Sequence, residues 1–371
     1  MDRARPAPDD TLPPTRRRRP PAGGWARSSS VLVALALLGT VACGSDSTPA
    51  GALVDVGAGL RGRVGLRASV YASGLPHIAA VTLDPQGRLW AATAALTDTG
   101  TDAVYLVSKA GARPVKVIAG LHTPLGLLWV GGTLVVSSRE RVDGYRGLAG
   151  TRFTDRRTIL TLPTGVGESN GIVRAPDGRL VLGISAPCNA CRPASPLSGA
   201  VVSFRLDGGD LRVEAGQIRA PVGLAYRPGT SDLYVTMNQR DDLGAKTPGD
   251  WLALVRRGQS WGFPACYGQG GPACGGAPQP LGVLDPHAAV GGVAIVPGSA
   301  TIGAGPAALV AEWTRGKVQQ VRLAAAGGTP AGQVQPLLAG LQRPMPVLAG
   351  SPHTLFVGDW QTGVLYLVGG L

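Results

Sequence analysis

Charged side chains are scarce in this sequence, as are long apolar runs and helical periodicity, and each shortage removes a class of protein. Asp, Glu, Lys and Arg make up only 16% of the 371 residues, which suits short strands and turns better than long surface helices. No stretch keeps apolar residues at helical spacing long enough to form crossovers between strands, so a parallel α/β fold is excluded. The 35 Lys and Arg outnumber the 23 Asp and Glu, yet the basic residues nowhere cluster with interleaved aromatics, and nucleic-acid binding has no footprint. Residues 1–27 hold seven Arg and three Asp, and the remaining excess of positive charge is spread thinly, which implies no more than a mild attraction to anionic surfaces. The apolar stretch at 31–42 has twelve residues; as a helix it would cover about 18 Å of a hydrocarbon core roughly 30 Å thick, so it is not a membrane span.

What is abundant is glycine, 56 residues, and proline, 31, the punctuation of an all-β chain. The first 43 residues read as an export signal: arginines at 16–19, the apolar stretch, then Leu38-Gly39-Thr40-Val41-Ala42-Cys43. That run looks like a bacterial lipobox, with Thr40 where Leu is usual. It makes Cys43 the lipidation site and the mature N-terminus, and the membrane a partner through the anchor. A plain secretory signal is the alternative. Residues 44–60, small and polar with several glycines, are expected to form a flexible tether, leaving 61–371 as the folded domain. Without Cys43 four cysteines remain, an even number in an exported chain. The simplest pairing is Cys188 with Cys191 and Cys266 with Cys274; a four-cysteine zinc site is the competing reading.

A repeat sets the architecture. Six times a leucine followed by an apolar residue stands just after a turn signal, at Leu89, Leu134, Leu180, Leu233, Leu309 and Leu355. The intervals are 45, 46, 53, 76 and 46 residues, the spacing of propeller blades. Strand-like segments precede and follow each anchor, so the expected fold is an all-β, six-bladed β-propeller. The long fourth interval leaves room for an insertion at 261–276, and the segment 51–73 is expected to supply a strand joining the last blade to the first. Residues just before each blade's first strand should ring one mouth of the channel: His77, His122, Gly167 to Asn170, Arg219, His287 and Arg343.

Several stretches resemble the glucose/sorbosone dehydrogenase family. Ser169-Asn170-Gly171-Ile172 with Pro176-Asp177-Gly178-Arg179-Leu180 is similar to its third blade, and Ile218-Arg219-Ala220-Pro221-Val222-Gly223-Leu224-Ala225 to its Arg-Asn-Pro-x-Gly-Leu-Ala signature. Asn238-Gln239-Arg240-Asp241-Asp242-Leu243-Gly244 and Trp261-Gly262-Phe263-Pro264-Ala265-Cys266-Tyr267-Gly268 resemble two further family stretches. The resemblance implies pyrroloquinoline quinone (PQQ) at the channel mouth, calcium polarising it, and a histidine that takes the proton of a sugar hydroxyl. Such a base must titrate near the operating pH, and cations must face the cofactor's carboxylates.

Transferred residue by residue, the match is incomplete. Gly167 stands where the family places its histidine, Ala220 where it has Asn, and Trp251 where a carboxylate that binds or organises calcium is expected. The candidates that remain are Glu168 and His287 for proton transfer, Arg219, Arg240 and Arg343 for the cofactor, and Asp242 and Asp250 for the metal. Two functions follow as expectations: a sugar oxidoreductase of the cell envelope with an altered base, or a propeller without redox chemistry that binds a glycan, peptide or envelope partner at the same mouth. A metal-centred hydrolase is a third, weaker option, drawing on Glu168, Asn170, Asn238 and Asp359.

Overall fold

The computed structural model describes residues 52–267, 270, 274–324, 331–351 and 353–371. Cys43, the leader and the first part of the expected tether lie outside them. Among the described residues no helix is long and apolar enough to cross a membrane.

Six sheets form the domain, antiparallel throughout except for the short pair of Arg212–Gly216 with Gln259–Ser260. Their innermost strands are Ile78–Leu83, Gly126–Val130, Ser169–Arg174, Pro221–Tyr226, Val290–Val296 and Pro344–Ser351, one for each of blades 1 to 6. Each neighbours the next, and the sixth neighbours the first, so the ring is closed. The all-β, six-bladed propeller read from the repeat is the fold observed, and the six anchor leucines each lie in the second strand of a blade.

Period-two alternation explains why the blades associate. In Leu180–Ile184 every residue is buried: Leu180, Leu182 and Ile184 pack toward blade 2, while Val181 packs toward blade 4. The same division recurs around the ring, giving six apolar clusters, one between each pair of neighbouring blades. Each fully buried Leu, Ile or Val side chain contributes roughly 1.5–3 kcal/mol, and a lone blade has no partner to bury it against. Outer strands such as Val115–Leu121 and Arg212–Gly216 are largely exposed.

Closure comes from both ends of the chain. Arg67–Ala72 forms the outer strand of blade 6, paired antiparallel with Val364–Gly369 from Ala72 opposite Leu365 to Arg67 opposite Gly369. The strand expected from 51–73 is therefore present, but the tether boundary at 60 is not: Val54–Gly57 and Leu60–Gly62 form a hairpin, and Arg61 and Gly62 pair with Ala339 and Leu338 at the edge of blade 5. Val56 and Leu60 look locally like tether among their glycines, yet both sink into the cluster between blades 5 and 6. Near the axis the inner strands approach so closely that side chains are excluded. A Cβ on Gly291 would lie 2.5 Å from the Met345 carbonyl oxygen, and one on Gly223 would lie 2.6 Å from that of Gly291.

Candidate functional site

At one mouth of the ring the loops of blades 2 to 5 enclose a cavity of about 820 Å³, within the range of small-molecule sites. Two kinds of segment build it. Residues preceding inner strands supply Gly167, Glu168, Arg219, His287 and Ala289; residues leaving second strands supply Arg139, Ser185, Asn189, Asn238, Asp241, Trp313 and Thr314. Asp250, from the third strand of blade 4, completes the wall.

Arg219 is the organising cation. Its Nη1 donates to the Asn238 carbonyl at 3.2 Å, and its Nη2 donates to Asn189 Oδ1 and stands 3.7 Å from an oxygen of Asp241. Asn189 lies between Cys188 and Cys191, which are disulfide-bonded, and also accepts from the Asp241 amide at 3.3 Å. The short covalent loop thus ties blade 3 to the arginine at the head of blade 4. Burial lowers the Arg219 pKa, and Asp241, Asp250 and Asp242 oppose the shift. Its Nε and the Oδ1 of Asn238 are buried and meet no partner among the described residues, and groups of this kind are costly to leave unmatched.

Glu168 is exposed and lines the cavity, where protein walls replace part of the water around it. That partial desolvation raises its pKa, opposed by Arg139 and Arg219 and reinforced by Asp98. Gly167 beside it has φ +109°, and a Cβ there would lie 2.0 Å from the Ser185 carbonyl oxygen. This backbone therefore has no room for a side chain at the position where the family resemblance expects a base. His287 also lines the cavity, but its ring is engaged: Nε2 lies 2.9 Å from the Gly244 carbonyl and Nδ1 lies 3.7 Å from an Asp241 oxygen. Both ring nitrogens of His287 therefore lie beside oxygen atoms of the protein.

Of the expected site residues, Glu168, Arg219, Asp250 and His287 come together on this cavity. Arg240 does not. It closes a two-point pair with Asp242, at 2.8 and 2.6 Å, and its guanidinium lies 4.9 Å from the Tyr267 ring centre. Arg343 lies 4.2 Å over Trp313, so it meets the cavity only through that indole. Asp242 and Asp250, expected as metal ligands, are both engaged with protein donors. Asp242 is spent on Arg240, and the two Asp250 oxygens accept the backbone N–H groups of Gln239 at 2.7 Å and Val290 at 3.4 Å. Calcium takes six to eight oxygen ligands, and no cluster of three or more Asp, Glu, His or Cys suited to a metal exists among the described residues. These side chains do not fit calcium.

PQQ is a different case, because what it asks of the protein is a roomy cavity and cations for its carboxylates. The volume, the Arg219 cation and the Trp313 wall backed by Arg343 fit it. The hydrolase set does not converge: the Asn170 side chain donates to Ser185 Oγ and the Pro221 carbonyl, and Asp359 accepts the amides of Gln342, Arg343 and Gln361. The Trp251 ring stacks on Trp261 in the core between blades 3 and 4 rather than facing the cavity.

Sequence reasoning missed Arg139, Ser185 and Thr314, although a signal existed. Each stands five residues beyond an anchor leucine, as does Asn238, and all four reach the cavity. A residue at that offset leaves the second strand at the mouth, as surely as one before the first strand arrives there.

Fold and cavity together define a class: a six-bladed propeller with a roomy cavity at one end of its channel. No protein-family model matches this sequence, and no curated protein matches it. Solved structures do. The PQQ domain of a pyranose dehydrogenase from Coprinopsis cinerea superposes with a TM-score of 0.67 at 15% identity, covering 84% of this chain and 97% of that one. The PQQ-bound aldose sugar dehydrogenase of Streptomyces coelicolor gives 0.64 at 17%, covering 83% and 99%. The soluble aldose sugar dehydrogenase of Escherichia coli gives 0.62 at 16%, covering 82% and 100%. The chain shares the fold of these PQQ-dependent sugar dehydrogenases over nearly their whole length.

Proposed function

We propose that the protein is an envelope oxidoreductase that oxidises a sugar or related alcohol or aldehyde in the mouth cavity, with PQQ as electron acceptor. The observation that carries this reading is the presence, on one cavity, of a partly buried cation, Arg219, and a carboxylate with a raised pKa, Glu168. A bound PQQ supplies the two-electron oxidant. Arg219 holds a carboxylate of the cofactor or the negative charge that develops on it. Glu168 takes the proton of the substrate hydroxyl, and its raised pKa makes it a stronger base than an ordinary glutamate. The Cys188–Cys191 disulfide fixes Asn189 against Arg219 and so keeps the guanidinium in place. Two disulfides suit an oxidising compartment, and the leader ending at Cys43 supports a chain exported and held to the membrane by its lipid.

Dye-linked turnover tests the reading. Purified protein supplied with PQQ should reduce an artificial acceptor with at least one aldose from a panel, and Glu168→Gln should lose about 10²–10⁴-fold in rate while PQQ still binds.

A second reading rests on Gly167: with no room for the expected base, the same cavity serves to bind a glycan, peptide or envelope partner without redox chemistry. Sugar binding that is indifferent to PQQ, with no turnover on any aldose, selects that reading over the first.

A further inference from the structure

Behind the main cavity lies a much smaller one, of about 20 Å³, walled by Arg219, Trp251, Trp261, Phe263, Cys266 and Tyr267. Beside the amides of Gln217 and Gln239, its walls carry unmatched donors. The indole nitrogens of Trp251 and Trp261 and the Nε of Arg219 are buried and meet no acceptor among the described residues. The two tryptophans are only 3% and 6% exposed, and their rings stack with centres 4.8 Å apart. Nothing in the apolar contacts requires these donors to face one void, and a buried N–H without an acceptor is destabilising.

We propose that this cavity is a halide site, in which one chloride-sized anion accepts from the Trp251 and Trp261 indoles and from Arg219 Nε. The volume matches a single water-sized occupant, for which about 10–15 Å³ is needed. A water is the poorer occupant: it has two lone pairs for three donors, and it brings two hydrogens that need acceptors of their own. A monoatomic anion accepts from all three and sits beside a buried guanidinium. Asp241, the acid nearest that guanidinium, lines the main cavity and not this one. Arg219 lines both spaces, so an anion here would hold it from behind while its terminal nitrogens keep Asn238 and Asn189. The Cys266–Cys274 disulfide pins one wall. The inference does not depend on the dehydrogenase reading.

Two measurements on the intact protein decide it. Crystals grown or soaked in sodium bromide should show an anomalous peak within hydrogen-bond distance of both indole nitrogens. In solution, Tm should be about 3 °C higher in sodium chloride than in sodium gluconate of equal ionic strength, as expected for an anion at tenfold excess over its Kd. Trp251→Phe should abolish that difference, and Trp261→Phe serves in its place if the first variant does not fold. Water or empty density under saturating bromide, or a chloride effect that survives both substitutions, overturns the proposal.

Discussion

Asp250 and Gly167 show how much of this site is decided one residue at a time. Burial raises the Asp250 carboxyl to about 6 even though backbone N–H groups of Gln239, Val290 and Ala289 pull the other way. An aspartate in the unfolded chain titrates near 3.9, so between about pH 4 and pH 6 the native state holds a proton that the unfolded state has released. Stability from this group is fully present below that window and is lost as pH rises through it, by up to about 3 kcal/mol. Glu168 and Glu312 are shifted in the same direction, also by burial. Asp84 behaves oppositely: burial alone would raise it, but hydrogen bonds from the Trp90 indole and from Arg88 hold it below its ordinary value, so its contribution is lost on acidification. Urea titrations between pH 4 and 7 should therefore give a shallower pH profile for Asp250→Asn than for the parent. At Gly167, alanine or histidine must both enter the left-handed region and displace the Ser185 carbonyl. Either should cost about 1–3 kcal/mol in denaturant titrations, and histidine should restore no turnover. The sequence places a glycine, not a histidine, at 167; only the backbone shows that no side chain fits there.

At the level of strands and loops, the element that matters most is the shortest-range in pattern and the longest-range in effect. Arg67–Ala72 carries no family motif, yet it pairs with Val364–Gly369 and brings Tyr71 edge-on to Phe356 at 5.0 Å. Removing residues up to 73 strips the outer strand from blade 6 and exposes a long unpaired edge, a template for aggregation. Such a truncation should elute as aggregate or unfold well below the parent in a thermal scan, and a Tm within 2 °C of the parent would refute the role in closure. Strands of this kind were legible in part, because the blade period demanded a closing partner from 51–73. The hairpin at Val54–Gly57 and Leu60–Gly62 was not legible: its glycines imitate a linker, and its burial depends on blade 5, some 275 residues away in sequence. The Asp250 staple was hidden for a similar reason. A carboxylate in a motif similar to a cofactor-binding family reads as a metal ligand until its oxygens are seen bonded to amides.

For the whole molecule, the ring makes chemistry out of distance. Positions 139, 168, 219, 241, 287 and 313 share a cavity only because six similar blades close on themselves. That closure was the most readable feature, since six anchor leucines repeat at blade spacing and the hydrophobic pattern has no other way to be buried. Which of the channel-mouth residues meet was less readable, because loops leaving the second strands contribute as much as those preceding the first. The function proposed above has this cavity accept PQQ through Arg219, without a calcium centre built from the carboxylates of its walls. Isothermal titration of PQQ into the purified protein, in chelator and again in calcium, tests it most directly. One site of equal affinity under both conditions, weakened at least tenfold by Arg219→Met, is the predicted result. No binding, binding that requires calcium, or an unchanged affinity in the variant would contradict it.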